Sequence, residues 1–319
     1  MRPNLAPHCC FALPIAAVLA LSPLPAMASS ILFVGNSFTY GEPAGGAPIV
    51  EYYQPSTVTD LNGTGIGGVP ALFKGFTVEA GLSYQVSLET VPGVGLDYHY
   101  ANKLSLIDKP WDNVVLQSYS TLDAAHPGNP ALLIASSGLL ARALAAQNPN
   151  VQIQLDATWS RADQTYLPTG HWYGQSIDQM AKDVYAGYVL ADQSSADVNG
   201  VLPVGLAFNE AIDRGFADPN PYDGISPTQF NLWAPDSYHA SPYGYYLEAL
   251  VEFGGITGLD PRTLDAVASG IGVAPDVARL LQQVAADQLN IPEPSSLALV
   301  AGAVAALLIR SRRAPRPIA

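Results

Sequence analysis

Short apolar runs alternate along the chain with longer stretches of helical periodicity. Five runs suit strands buried on both faces: residues 31–34, 84–91, 113–116, 151–155 and 201–204. Three stretches are typical of helices: residues 130–147, 176–190 and 242–253. This alternation predicts an α/β fold with three α/β/α layers and a mostly parallel sheet of about five strands.

The first 28 residues have the pattern of a secretory signal peptide. Arg2 precedes an apolar run over residues 10–21, and the small-residue site Ala26-Met27-Ala28 follows it. An uncleaved membrane anchor is the alternative, but the run is shorter than the roughly 20 residues that span a bilayer. We therefore expect export, with a mature chain that begins at Ser29.

Residues 291–319 carry a second processing pattern. The triplet Pro292-Glu293-Pro294 is followed by an apolar segment over residues 295–309 and by an arginine cluster. This order resembles the PEP-CTERM sorting signal of Gram-negative bacteria. The resemblance implies recognition by an exosortase-type sorting enzyme, transient membrane insertion through the apolar segment, and delivery to the cell surface or extracellular matrix. A plain membrane tether with cytoplasmic arginines is the alternative.

Between these segments, residues 29–290 show neither an internal repeat nor a long linker, which predicts one domain. A composition of 49% hydrophobic and 13% charged residues fits a folded domain. The net charge of −13 argues against a nucleic-acid partner, because no basic surface is available to neutralise phosphates. Cys9 and Cys10 are the two cysteines, so the exported chain has no disulfide or cysteine nucleophile.

Two polar blocks at opposite ends of the domain carry candidate chemistry. Ser37, in Gly35-Asn36-Ser37, directly follows the first predicted strand, and ligands of parallel sheets bind beyond the carboxyl ends of strands. Asp236 precedes His239 by three residues, a spacing that lets a carboxylate orient an imidazole. Each block alone also fits an ordinary hydrogen-bonded turn. Together they supply a nucleophile, a base and an orienting carboxylate.

In these blocks the chain resembles the SGNH, or GDSL-like, serine hydrolases. Their first block holds the nucleophile after strand one, and their last block is Asp-x-x-His; here these are Ser37 and Asp236-x-x-His239. The resemblance covers residues 31 to about 255 and implies a flavodoxin-like fold, with Ser37, His239 and Asp236 as catalytic residues.

The resemblance also implies an oxyanion hole built from the nucleophile N–H, a glycine N–H and an asparagine side chain. Gly95 is the expected backbone donor after Ser37, with Gly93 the near alternative. The Gly-x-Asn-Asp block of the family is missing after the third strand. Gln117 stands at that strand end and is the predicted side-chain donor, because its amide offers N–H groups. Asn129 is a weaker candidate.

Substrate contacts and metal ligands have weaker sequence support. Asn36, Trp159 and Trp172 are candidate substrate-binding residues, and the tryptophans suit sugar stacking, although loop packing is the alternative. The histidines after the signal peptide form no compact ligand pair, so we expect neither a metal nor another cofactor.

The sequence thus predicts an exported serine esterase that removes acyl groups, O-acetyl groups on polysaccharide being the preferred class by analogy. An acylated carbohydrate or another small ester would be its substrate. Two alternatives stay open. The scaffold could bind polysaccharide without catalysis, since the Gly-x-Asn-Asp block is absent, or the same residues could serve a lipase or phospholipid-active hydrolase.

Overall fold

The computed structural model describes residues 28–42, 50–265 and 267–292. The predicted signal peptide up to residue 27 and the C-terminal segment from residue 293 lie outside these ranges. Within them, no helix is both long and apolar enough to cross a bilayer. The apolar segment predicted to insert into the membrane lies outside the described residues.

One six-stranded sheet forms the centre of the fold, and every strand pairing in it is parallel. The strands are β1 (Ser29–Gly35), β2 (Thr59–Asp60), β3 (Tyr84–Thr90), β4 (Asn113–Leu116), β5 (Gln152–Asp156) and β6 (Gly200–Leu202). The predicted parallel α/β architecture and its five strands are confirmed. The additional strand, β2, has two residues at the sheet edge, too few to show an apolar pattern.

Helices precede and follow the strands along the chain. They are α1 (Ser37–Tyr40), α2 (Gly68–Glu79), α3 (Leu96–Asn102), α4 (Leu104–Ile107), α5 (Ala131–Gln147), α6 (Ala162–Tyr166), α7 (Ile177–Gln193), α8 (Val204–Asp213), α9 (Pro242–Thr257), α10 (Val267–Gly270) and α11 (Pro275–Gln288). Two 3-10 turns cover Pro55–Thr57 and Pro261–Thr263. The three predicted helices are confirmed as α5, α7 and α9.

The sheet separates two apolar cores, which makes the three layers. Alternate residues of β1 show the division: Ile31 and Phe33 pack in the core with α2, α8, α9 and α11, whereas Leu32 and Val34 pack in the core with α3, α5 and α7. All four are fully buried. Because both faces of β1 are covered, its sequence is continuously apolar, as expected of a central parallel strand.

Strand order places a topological switch point beside β1. The sheet order is β2-β3-β1-β4-β5-β6. After β1 the chain forms β2 and β3 on one side of that strand, and then crosses to β4 on its other side. Without the short edge strand, this order is the flavodoxin-like one. The carboxyl ends of β3, β1 and β4 are therefore neighbours, and Ser37 follows the central one. In such sheets the crevice at the switch point is where ligands bind.

Asp60 closes the loop that connects β2 to α2. Its carboxylate accepts hydrogen bonds from the Asn62 N–H (2.9 Å), from the Thr64 N–H and hydroxyl (2.7 Å each) and from the Gly65 N–H (2.9 Å). Burial alone would raise the pKa of Asp60, but these hydrogen bonds outweigh it and lower the pKa. The ionised carboxylate therefore stabilises the loop.

Replacement of Asp60 with alanine tests this role. We expect the free energy of unfolding to fall by about 1–3 kcal/mol at neutral pH, because several loop N–H groups lose a charged acceptor. Urea denaturation measures the change. Because the folded-state pKa of Asp60 is lowered, the stabilisation by its carboxylate is complete above the unfolded-state pKa and is lost as pH falls through the folded-state pKa. The difference in unfolding free energy between wild type and Asp60→Ala should therefore shrink in acid.

Asp276→Ala is the matched control for Asp60→Ala, because Asp276 is exposed on the first turn of α11. Equal effects of the two substitutions on unfolding would contradict the assigned role of Asp60.

Candidate active site

Ser37 begins the one-turn helix α1 immediately after the central strand. The Asn36 side chain caps this turn by accepting the Phe38 N–H at 3.1 Å. The N–H groups of Tyr40 and Gly41 donate to the carbonyls of Asn36 and Ser37, at 3.1 Å each. The turn is thus closed by its own backbone and by one side chain. Ser37 is 2% exposed, at the carboxyl end of the sheet.

Asn36 and Gln117 bind the loops that follow three adjacent strands. The Gln117 Oε1 atom accepts the Asn36 N–H at 2.8 Å and the Thr39 hydroxyl at 3.1 Å. The Asn36 Nδ2 group donates to the carbonyls of Val94 (2.9 Å) and Ser118 (3.1 Å). The loops after β1, β3 and β4 are therefore cross-linked around the position of Ser37.

The structure brings Ser37, His239 and Asp236 together. His239 Nε2 lies 2.9 Å from Ser37 Oγ, and His239 Nδ1 lies 2.7 Å from Asp236 Oδ2. Asp236 Oδ1 accepts the backbone N–H groups of Tyr238 and His239, at 3.0 Å each. The loop that carries them closes on itself, since the Ala234 N–H donates to the His239 carbonyl at 2.8 Å.

This arrangement has the electrostatics needed to move a proton. Burial would raise the pKa of Asp236, but the hydrogen bonds from the His239 ring and from two backbone N–H groups hold it below its ordinary value. An ionised Asp236 takes the Nδ1 proton as its hydrogen-bond donor, so the Nε2 lone pair faces the Ser37 hydroxyl. A second carboxylate, Glu42 Oε2, lies 3.6 Å from Nε2.

Aromatic rings and one arginine surround the imidazole. Tyr238 stacks on His239 with ring centroids 4.1 Å apart, and the Arg161 guanidinium carbon lies 3.6 Å from the Tyr238 ring centroid. Asp163 holds Arg161 through two hydrogen bonds, from Nε at 2.9 Å and from Nη2 at 2.6 Å. The Arg161 Nη1 group is directed to the Ser120 hydroxyl, 3.5 Å away. Cation–π contact and ion pairing therefore fix this guanidinium.

A cavity of ≈ 280 Å³ adjoins these residues. Its wall is mainly polar and aromatic, and its lining residues include Asn36, Gly93, Tyr119, Ser120, Arg161 and Tyr238. Of these residues, Asn36 and Gly93 are candidates from the sequence, whereas Tyr119, Ser120, Arg161 and Tyr238 are not. Tyr238 lies within the Asp-x-x-His block, which could have indicated it, whereas no local pattern marked Arg161 or Ser120.

The predicted oxyanion donors have different surroundings. Within the described residues, the Ser37 N–H has no hydrogen-bond acceptor, so it is available. The Gly95 N–H lies against the Tyr119 hydroxyl, whereas Gly93 lines the cavity. The prediction for Gln117 is contradicted: the side chain is fully buried, its oxygen serves Asn36 and Thr39, and its nitrogen donates to the Ser118 carbonyl. Gln117 thus supports the loops.

The predicted sugar-stacking wall is also contradicted. Trp159 is fully buried, stacks on Phe208 with centroids 4.9 Å apart, and donates its indole N–H to the Tyr238 carbonyl at 3.2 Å. Trp172 is 1% exposed in the other core and donates to Asp183 at 2.8 Å. Neither ring is among the residues that line the cavity next to Arg161 and Tyr238. Both tryptophans are therefore core residues.

The C-terminal sequence matches a known sorting motif. The family model of the PEP-CTERM protein-sorting motif matches residues 290–313. The chain carries a PEP-CTERM motif. Most of the match lies outside the described residues. No curated protein sequence matches the chain.

Several solved structures are similar to this one in fold. A DUF4886 family protein from Bacteroides uniformis is 17% identical, with a TM-score of 0.55, and the match covers 83% of this chain and 96% of that one. A family 3 carbohydrate esterase from Clostridium thermocellum is 17% identical, with a TM-score of 0.45 over 71% of this chain and 94% of that one. A Parabacteroides merdae protein assigned as a GDSL-like lipase is 17% identical, with a TM-score of 0.46 over 72% and 95%. At these identities the similarity concerns the fold.

Replacement of Gln117 with leucine separates a supporting role from a direct one. We expect the free energy of unfolding to fall by about 2–4 kcal/mol, because the Asn36 N–H, the Thr39 hydroxyl and the Ser118 carbonyl lose buried partners. Urea denaturation followed by tryptophan fluorescence measures the loss. The matched control is Gln147→Leu at the exposed end of α5, which should change stability by no more than about 0.5 kcal/mol.

A Gln117→Leu protein with wild-type stability would contradict the supporting role and restore Gln117 as a candidate oxyanion donor.

Proposed function

We propose that the chain is an exported serine esterase, with residues 29–290 as its single catalytic domain. The observation that carries this proposal is the hydrogen-bonded sequence Ser37 Oγ, His239 Nε2, His239 Nδ1 and Asp236 Oδ2, with separations of 2.9 and 2.7 Å. The likeness of the fold to that of an esterase and of a GDSL-like lipase is compatible with it.

His239 is the base in the proposed reaction. It takes the Ser37 proton as the oxygen attacks an ester carbonyl, and Asp236 stabilises the imidazolium that forms. Collapse of the tetrahedral intermediate transfers the proton to the leaving alcohol and leaves the acyl group on Ser37. Water, deprotonated by His239, then attacks the acyl-enzyme and releases the acid. Both half-reactions use the same three side chains.

Backbone N–H groups stabilise the oxyanion in this proposal. The Ser37 N–H is one donor, because it lies at the nucleophile and has no acceptor among the described residues. The loop after β3 supplies the second, from Gly95 as the sequence predicts or from Gly93, which lines the cavity. Gln117 acts through Asn36, whose N–H it binds at 2.8 Å.

The cavity lined by Asn36, Arg161 and Tyr238 is the proposed site of the alcohol part of the ester. Hydroxyl, amide and guanidinium groups line it together with the Tyr119 and Tyr238 rings, a combination that suits a carbohydrate better than a long acyl chain. We therefore favour short acyl esters of a carbohydrate, O-acetyl groups on polysaccharide in particular. The PEP-CTERM motif supports export and sorting at the cell surface, with an exosortase-type enzyme as the expected partner.

Ser37→Ala tests the nucleophile. We expect kcat for p-nitrophenyl acetate to fall roughly 10⁴-fold or more, because the acyl-enzyme no longer forms. A fluorophosphonate probe should label wild type at Ser37 and leave the variant unlabelled, which peptide mass spectrometry would show.

Ser194→Ala, at the exposed C-terminal end of α7, is the matched serine control and should retain full activity and labelling. Turnover that survives Ser37→Ala, or a probe attached to another residue, would exclude Ser37 as the nucleophile.

Arg161→Gln tests the alcohol site. We expect KM for an O-acetylated oligosaccharide to rise about 10-fold, since one charge-assisted hydrogen bond is lost, while hydrolysis of p-nitrophenyl acetate changes less than about twofold. Steady-state kinetics on both esters measures the difference. The control is Arg142→Gln on the exposed face of α5. Equal losses on the two esters would show that Arg161 acts on the base through Tyr238 and does not recognise the alcohol.

A further inference from the structure

Three acidic side chains meet in the core between the sheet and α9. Asp156 is the last residue of β5, and Glu248 and Glu252 lie one turn apart on α9. Asp156 and Glu248 are fully buried and Glu252 is 1% exposed. One carboxylate oxygen from each residue lies within 4.8 Å of the other two. None of these residues belongs to the proposed esterase machinery.

Within the described residues, no N–H or hydroxyl group donates to any of the six carboxylate oxygens. The hydrogen bond left open to them joins the carboxyls of Asp156 and Glu248, and it needs a proton on one of the two. No ion pair in that part of the chain involves them either. Two phenols in the neighbourhood make other hydrogen bonds: the Tyr188 oxygen accepts the Ser118 N–H at 2.9 Å, and the Tyr245 hydroxyl donates to the Glu42 carbonyl at 3.2 Å. Neither is a hydrogen-bond partner of the three carboxylates. Unpaired carboxylates in a core are strongly unfavourable, so this cluster requires positive charge from outside the chain.

Protons and a cation are the two possible sources of that charge. Burial raises the pKa of Asp156 to about 7, and burial together with the neighbouring carboxylates raises the pKa values of Glu248 and Glu252 well above the ordinary range. Protons neutralise the groups and let one carboxyl donate to another, because each protonated carboxyl has one O–H. A cation can contact oxygens from all three residues at once.

The geometry suits a hard cation. Three oxygens within 4.8 Å of one another surround a common centre at about the distance of a calcium ligand, and a small adjustment of the side chains brings them to the typical 2.3–2.6 Å. Three carboxylates offer up to six oxygens, which approaches the usual six to eight calcium ligands without water. Magnesium, which keeps several waters, suits an enclosed site less. We propose that Asp156, Glu248 and Glu252 form a structural site for a divalent cation, calcium in preference to magnesium.

The site would connect the end of β5 to α9 from within the core. Helix α9 also carries Tyr245, whose hydroxyl contacts the Ser37 carbonyl at 3.5 Å and the Glu42 carbonyl at 3.2 Å. The bound cation therefore stabilises the position of the helix behind the nucleophile. The three carboxylates are not among the residues that line the cavity proposed for the alcohol part. The effect of the cation should appear in stability whether or not the chain is an esterase.

Metal analysis and thermal unfolding of the purified exported protein test the site. Protein prepared without chelators should contain about one calcium per chain by inductively coupled plasma mass spectrometry. Stripping with EDTA should lower Tm, and calcium at about 100 times its Kd should restore it by roughly 5–10 °C, with magnesium weaker. Loss of activity alone would not count as support.

Glu252→Gln should abolish both the bound metal and the calcium-dependent rise in Tm, because it removes one charged ligand. Asp276→Asn on the exposed face of α11 is the control and should retain both. Should Glu252→Gln fail to fold, the comparison of stripped and reloaded wild type still decides the question. A chain with neither metal nor a calcium-dependent Tm would overturn the proposal. In that case the raised pKa values predict stability that falls as pH rises through them, the behaviour of a cluster that holds protons.

Discussion

The hydrogen bonds of two buried amides, Asn36 and Gln117, hold the candidate site together. Parallel strands deliver their carboxyl ends to one edge of the sheet, but the loops beyond those ends are free to diverge. Gln117 binds the backbone after β1, and Asn36 binds the carbonyls of the loops after β3 and β4. These contacts are buried, where an unmade hydrogen bond costs most. They fix Asn36, the residue that precedes Ser37, between the loops that follow β3 and β4.

The parallel fold was predictable from the sequence because its strands are buried on both faces. Such strands read as continuous apolar runs, and residues 113–116 coincide with β4 as observed. Edge strand β2 was not predictable, since two residues have no periodicity and Asp60 serves a loop. Helix α2 was not predictable, because its glycines and proline weaken the helical pattern. Tertiary packing, which buries Phe73 and Phe76, stabilises this helix.

The candidate site was predictable where the chemistry is local. Asp236 and His239 are three residues apart, so one loop can join them, and the structure places His239 against Ser37 and Asp236 against the other ring nitrogen of His239. The hydrogen-bond partners of Gln117 were not predictable, because a sequence shows that an amide is present but not which groups its oxygen and nitrogen bind. The burial of Trp159 was not predictable either, because a position after a strand does not distinguish a ring that faces a cavity from one that packs in the core. The cluster of Asp156 with α9 had no sequence pattern, because its members come from distant segments.

The candidate base His239 stacks on Tyr238, and Tyr238 in turn packs against Arg161. Arg161, Tyr238 and His239 lie in successive contact, at 3.6 Å from the cation to the first ring centroid and 4.1 Å between ring centroids. In the proposed reaction, the alcohol part of the ester contacts the guanidinium on one face of Tyr238, and the base lies on the other face. In the proposed reaction, one aromatic ring therefore separates the side chain that binds the alcohol part from the base, and both pack against that ring.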